Sequence, residues 1–305
     1  MFDFGKVGID IGSETVKAVH MIKKGKKFAI KQMVKIHNNR APKSVEDLNS
    51  KDFSLCINKL KNLLSCKNII TGIPNQCVIV RNAILPMLTK IELEEAIFWE
   101  TRELLTMFKK DFVYDYEITQ KGPDFLKIAI AAADRNYVET YMNVLEAAGF
   151  RIIALDIYPL AVARMLKSLG NNMNIAIIDV KDSNCEVIIV EKGSYSLHHN
   201  ISLNPYDNIE PFKDQKDQTN VQRLAMEISN FFEHYHFKYG NNIKINKVIL
   251  IADSSSSNIK ETCKNFLKVP VVMASDYFKD LKLNNYSGNN IDYMGFINAI
   301  SFALR

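Results

Sequence analysis

Cysteine is scarce and unpatterned in this chain. Cys56, Cys66, Cys77, Cys185 and Cys263 are its five cysteines, spread over 305 positions without a C-x-x-C or a zinc-type spacing. An odd, scattered set argues against a disulfide scaffold and fits small apolar side chains in a reducing compartment. No apolar run approaches the ~20 residues that span a bilayer. The opening MFDFGKVGID is a strand pattern without the apolar stretch of a secretion signal. Any work at a membrane is therefore expected to depend on something else that brings the chain there. Net charge is only +5, which gives little support for nucleic acid as a partner, and none is expected. Tryptophan occurs once, as Trp99, and is expected to pack rather than bind a ligand.

What is present suits a globular protein. Hydrophobic residues make up 47% of the chain and charged residues 24%, a balance that can bury a core. A chain of 305 residues predicts two or more domains.

The stretch VGIDIGSETVK at 7–17 organises the rest. Val7, Ile9 and Ile11 alternate with Gly8, Asp10 and Gly12, which predicts a strand with one buried face. The turn Gly12-Ser13-Glu14-Thr15 leads into a second strand, 16–22. Such a turn lets backbone approach a ligand, and its N–H groups can cradle phosphate oxygens. Asp10 can hold a divalent ion through water, and Lys17 can reach a phosphate as a point charge. An ordinary tight hairpin favours the same residues.

A basic run around Gly25 reads as a solvated turn before a third strand, 28–36. Residues 38–49 read as a loop. Ser50 caps a helix over 51–64. Strands are expected at 68–72 and 78–85. Thr89-x-x-Glu92 forms a capping box for a helix to about Leu105, with Leu93, Ile97 and Leu104 on one side. Its glutamates, Glu92, Glu94, Glu95, Glu100 and Glu103, read as a solvated acidic face. A hairpin through Gly122-Pro123 and a helix over 135–148 complete a compact stretch, 87–150. A strand at 151–157 and a helix at 160–169 lead to a boundary near Gly170.

The second half opens like the first. Strand 174–179 ends in Asp179, strand 185–190 follows, then a Gly193 turn and a third strand, 195–203. Each half therefore reads strand, Asp, turn, strand, Gly turn, strand at nearly one spacing, a two-copy duplication. Two copies facing each other would put one Asp and one turn on each side of a crevice. Residues 204–217 read as an irregular excursion. Helices at 221–239 and 257–267 alternate with strands at 247–252 and 269–273. His234 and His236, two apart on a helix, point apart and suit no shared metal. The closing helix, 291–304, reads as docking on the core rather than as a membrane anchor.

These residues resemble the actin and sugar-kinase ATPases. GIDIGSETVK is similar to their first phosphate loop. Within that group the likeness is to the PilM family, the cytoplasmic actin-like proteins of type IV pilus assembly, related to the division protein FtsA. It rests on VGIDIGSETVKAV, VIVRNAILP, ELEEAIFWE, ALDIYPLAVAR and the terminal GFINAISFALR, in that order. The resemblance implies an α/β, two-lobed actin-like fold of the duplicated ribonuclease H type, with an inserted small subdomain. The expected spans are 1–86 plus 151–172 for the first lobe, 87–150 for the insertion and 173–305 for the second lobe, its last helix packing back on the core. It implies Mg-ATP at Asp10, Gly12, Ser13, Glu14, Lys17, Asp179, Asp253 and Ser254, with magnesium held through water by Asp10 and Asp179.

It further implies a cytoplasmic protein, not itself inserted in the membrane, that binds the N-terminal tail of a PilN-like inner-membrane protein. A ring of copies is part of the same expectation. The chain departs from the family at two loops. Asp179 is followed by Val180-Lys181-Asp182 where glycine is usual, and Ala252-Asp253-Ser254-Ser255-Ser256 replaces a glycine run. Each lost glycine blocks close backbone approach, so weakened nucleotide binding and no efficient turnover are expected. The alternatives are a kinase of the same fold, for which no catalytic base is evident, and an FtsA-like filament protein.

Overall fold

The computed structural model describes residues 5–12, 14–24, 27–38, 42–102, 111–168, 170, 172–181, 184–203, 217–239, 244–252, 257–279, 284–285 and 294–305. The chain divides into two units. The first holds the described residues up to Met165 with 284–285 and those from Gly295 onward; the second begins at Leu166.

The opening alternation forms the predicted meander: β1 (Lys6–Ile11), β2 (Thr15–Lys24) and β3 (Lys27–His37). The stretch expected as a loop holds a one-turn helix, α1 (Val45–Leu48). Its box is Ser44 and Asp47 rather than the usual Glu or Gln, so the sequence signal is weak. Next come α2 (Lys51–Leu63) and β4 (Asn68–Gly72). Ser50 caps α2 as expected, accepting from Phe53 N–H at 3.2 Å and donating to Asp47 O at 2.6 Å. Ser50→Ala is expected to destabilise this helix start by about 1 kcal/mol. Faster hydrogen exchange at Phe53 and Ser54 would report it.

After a short turn at Asn75–Cys77 the chain forms β5 (Ile79–Pro86), α3 (Lys90–Arg102), β6 (Phe112–Lys121) and β7 (Phe125–Asp134). Strand β5 pairs with β7, which also pairs with β6. The strand expected to close the first lobe thus belongs to a separate three-stranded sheet, ordered β5-β7-β6. Leu93 and Ile97 of α3 pack on Leu126, Ile128 and Ile130. The Thr89–Glu92 box is present: Thr89 N–H donates to Glu92 Oε2 at 2.8 Å, which holds that carboxyl below its usual range. Leu104, Glu103 and the expected end of this helix lie outside the described residues. Two expectations for α3 are corrected. Trp99 is 61% exposed rather than packed inward. Leu93 and Ile97 take the sheet-facing stripe, and Trp99 sits two positions on, where the Arg102 guanidinium covers its ring at 4.8 Å and the Phe98 ring meets it edge-on at 6.1 Å. Glu100 is not simply solvated, since it pairs with Arg81 of β5 at 2.9 Å.

Helix α4 (Arg135–Ala147), β8 (Arg151–Asp156) and α5 (Tyr158–Ser168) follow. The α4 residues Tyr137, Tyr141 and Leu145 join the core of β1, β2 and α2, with Val7, Ile9, Ile57 and Leu60. This helix, read from sequence as part of the insertion, therefore packs on the lobe.

The second unit repeats the first. It contains β9 (Ile175–Val180), β10 (Asn184–Glu191), β11 (Ser194–Ser202), α6 (Asp217–Tyr239), β12 (Lys247–Ile251), α7 (Ser257–Leu267), β13 (Val271–Met273) and α8 (Ala274–Lys279). Lys192 and Gly193 both have positive φ, at 48° and 78°, the two-residue turn that matches strand twist in a hairpin. Leu224, Ile228 and Tyr235 of α6 and Ile259 of α7 cover one face of the sheet with Ile178, Val187 and Leu250. Residues 204–216 of the expected excursion lie outside the described residues.

The chain ends with β14 (Asn284–Asn285) and α9 (Ile297–Ala303). Strand β14 pairs with β3. Helix α9 was expected with the second lobe, packing back on the core. It packs on β1, β2 and β4 of the first unit. The two main sheets then read β14-β3-β2-β1-β4-β8 and β11-β10-β9-β12-β13. In each, an antiparallel meander continues into parallel strands across the first strand. The duplication read from spacing is thus a duplication of topology. Among the described residues no helix is long and apolar enough to cross a membrane.

Candidate functional site

Asp10 is half-buried near the end of β1 and lies opposite Lys17 in the antiparallel register. The turn that follows is closed by its own hydrogen bonds. Gly12 N–H donates to Thr15 O at 2.9 Å, so the amide expected to face a phosphate is committed to the hairpin. Gly12 O accepts from Asn38 Nδ2 at 2.9 Å, and Asn38 N–H donates to Glu14 O at 2.7 Å. Asn38 is buried and locks the turn from the end of β3. The sequence places Asn38 in a loop, because nothing local reveals a contact made 26 residues away. Glu14 is exposed and Lys17 half-buried. Ser13 lies outside the described residues.

Beneath Asp10 is a buried polar group. Thr71 Oγ1 donates to Ile9 O at 3.1 Å, and Tyr141 Oη lies 2.8 Å from Thr71 Oγ1 and 3.1 Å from Gly72 O. Burial pushes the Tyr141 phenol well above its ordinary value, and the Asp10 charge adds to it. The phenol stays protonated and tethers α4 to the strand ends.

The equivalent turn in the second unit closes with the same backbone bond, Lys181 N–H to Asn184 O at 2.9 Å, but carries different side chains. Asp179 lies near the end of β9, opposite Glu186 on β10. Both side chains are buried, 6% and 5% exposed. Lys181 Nζ lies 3.4 Å from Asp179 Oδ2 and 3.3 Å from Glu186 Oε1. Where the first unit sets a lysine across from its Asp, the second sets a glutamate and draws its lysine from the turn. Magnesium needs carboxylate oxygens that face outward to it or its waters. Here Asp179 Oδ2 and Glu186 Oε1 face an ammonium instead, so the residues as they stand do not fit the magnesium expected at Asp179. Asp253 and Ser254 lie outside the described residues. Of the expected set, Asp10, Gly12, Glu14 and Lys17 share one hairpin of the first unit, and Asp179 belongs to the second.

A different feature of the first unit is a groove of about 410 Å³. The segment Lys43–Glu46 forms one wall, Gln76–Ile79 another, and Asp134, Asn136 and Tyr137 the third. Tyr137 Oη donates to Pro42 O at 2.7 Å, and Asp134 caps α4 by accepting from Tyr137 N–H at 2.9 Å. Tyr137 thus ties the third wall to the residue just before the first, and Cys77 Sγ, 3.7 Å from Lys43 O, links the second wall to the first. Burial pushes the Tyr137 phenol up, so it remains a donor.

Comparison with known proteins gives these features a setting. The family model described as type IV pilus assembly protein PilM matches residues 8–202, well over half of the chain. The chain belongs to the PilM family. That match takes in the Asp10 hairpin, the groove and the Lys181 cluster. No curated protein matches the chain. Among solved structures it is similar to one described as a PilM-PilN type IV pilus biogenesis complex, at 15% identity, over 99% of this chain and 98% of that one, with a TM-score of 0.76. It is also similar to the ethanolamine utilization protein EutJ of Carboxydothermus hydrogenoformans, at 14% identity over 98% and 89%, TM-score 0.51. A third is the cytoplasmic domain of EpsL, an inner membrane component of the type II secretion system of Vibrio cholerae, at 9% identity over 98% and 95%, TM-score 0.51. The fold of this PilM-family chain is the actin-like ATPase fold. No groove residue is legible in the sequence, because the walls come from segments up to 94 positions apart, Lys43 to Tyr137.

Proposed function

We propose that this chain is a scaffold on the cytoplasmic side of a type IV pilus assembly. It takes the short N-terminal cytoplasmic tail of a PilN-like inner-membrane protein into the groove between Lys43–Glu46, Gln76–Ile79 and Tyr137. The observation that carries this reading is the groove itself, shared by the first lobe and the start of the small sheet. Val45, Val78 and Ile79 offer apolar contact, and Lys43, Glu46 and Asp134 supply charges of both signs. Pre-formed walls suit a short tail, since only the peptide then loses conformational freedom on binding. The reading is supported by family membership and by likeness to a protein solved with PilN. In the same reading the chain reaches the membrane through this partner, copies associate in a ring, and Mg-ATP binding around Asp10 and Lys17 is weak, without efficient turnover.

Titration calorimetry of the full chain with a synthetic peptide of the partner's tail tests it. The expected result is saturable binding that falls roughly tenfold or more in Val78→Glu, through a charge placed in an apolar contact, with thermal unfolding unchanged. A folded wild-type chain that binds no tail peptide would overturn the reading. Steady Mg-ATP turnover abolished by Asp10→Ala would favour the kinase instead.

A further inference from the structure

We propose that Lys181 is a tethered cation standing where a divalent ion would otherwise be drawn, so that Asp179, Glu186 and Lys181 form a closed, metal-independent charge cluster. Asp179 and Glu186 are direct cross-strand partners, so their side chains share one face of the sheet. Two buried carboxylates side by side repel each other, and a cation placed between them offsets that repulsion. The Lys181 ammonium lies almost equally far from both, 3.4 and 3.3 Å. Its backbone is fixed as well, with Lys181 N–H donating to Asn184 O at 2.9 Å across the turn. The lysine side chain is 38% exposed while its partners are 6% and 5% exposed. It therefore lies on the solvent side of the carboxylates.

One more atom bears on the point. Glu186 Oε2 is fully buried and has no hydrogen-bond partner among the described residues. The cluster thus holds oxygen capacity that Lys181 leaves unused. Without the ammonium, two neighbouring carboxylates and this spare oxygen make a small, hard-oxygen set of the kind that divalent cations take. The loss of glycine after Asp179 is then more than a steric block. The residue at the second position of the turn supplies the positive charge that a metal would have brought.

Manganese alone is the probe, followed by calorimetry and by the melting temperature of the full chain in Mn²⁺ against EDTA. Wild type is expected to show no saturable site that depends on Asp179. Lys181→Ala is expected to melt lower in EDTA, to bind Mn²⁺ roughly tenfold or more tightly than wild type, and to regain its melting temperature as the site fills. Lys181→Met keeps the aliphatic stem and should behave alike if alanine impairs folding. Adding Glu186→Gln to Lys181→Ala should remove the manganese gain and raise the metal-free melting temperature. Saturable Mn²⁺ binding by wild type that Asp179→Asn abolishes would overturn the proposal. So would a Lys181→Ala chain that binds Mn²⁺ no better than wild type. Tail binding is read in a separate titration of the full chain and depends on groove residues of the first unit, so either reading can fail without the other.

Discussion

Replacing Gly8 with valine is expected to leave the first unit's sheet without its closing helix. A Cβ at Gly8 would lie 1.9 Å from Ala299 O and 2.6 Å from Ala303 N. Both are backbone atoms of α9 or its flank, so no side chain can rotate away, and the helix itself must lift. The neighbouring strand is shaped for the same contact, because a Cβ at Gly72 would lie 2.3 Å from the Phe302 ring. Overpacking alone costs about 1–3 kcal/mol. Exposing the buried Phe302 adds about 2 kcal/mol. A loss of about 4 kcal/mol is therefore expected for Gly8→Val, and less for Gly8→Ala. Denaturant unfolding gives the magnitude, and hydrogen exchange gives the place: the α9 amides should lose protection while those of α6 keep theirs. Full protection of α9 in the valine variant would show that Gly8 is not its seat.

The second large effect is expected at Arg164. Its guanidinium forks between Asp156, at the end of β8, and Glu117 on β6, so one side chain joins the main sheet to the small one. Asp156 is 4% exposed and also accepts from Ile157 N–H at 2.8 Å, with Arg305 Nη1 at 3.3 Å. Removing one partner of a buried pair leaves a charge uncompensated, at about 3–5 kcal/mol. Arg164 is 28% exposed and Arg305 remains, so about 2–3 kcal/mol is expected for Arg164→Met. The small sheet should respond first. Hydrogen exchange in β6 should rise, and a double-mutant cycle with Glu117→Gln should show coupling. Simple additivity of the two changes would mean that the pair carries no joint weight.

The parts of this molecule that were legible in its sequence are those decided within one element. Val7, Ile9 and Ile11 reveal their strand because a two-residue period survives whatever packs on it. Leu224, Ile228 and Tyr235 reveal a helix face for the same reason. What one element does to another was not legible. Strand β5 (IVRNAILP) has no two-residue alternation that would assign it to one sheet, and only pairing with β7 decides it. Helix α9 is apolar enough to cover either unit, and the missing Cβ atoms of Gly8 and Gly72 select the first. The exposure of Trp99 is not legible either, because hydropathy says nothing about which side of a helix its neighbours claim. At the candidate site, the Asp10 hairpin was readable as a motif. The Asn38 lock and the Lys181–Glu186 pairing depend on register across turns, which residue types alone do not fix.

The place of α9 has a consequence for how the polypeptide is made. Lys6 Nζ donates to Arg305 O at 2.7 Å, across 299 positions. The helix that seals β1 leaves the ribosome after every other described element, so the earliest strand waits longest for its cover. The second unit's core lacks that dependence and can consolidate while translation continues. During synthesis, the first unit's sheet is thus completed only once α9 is made, and the Gly8 face of β1 stays bare in the interval.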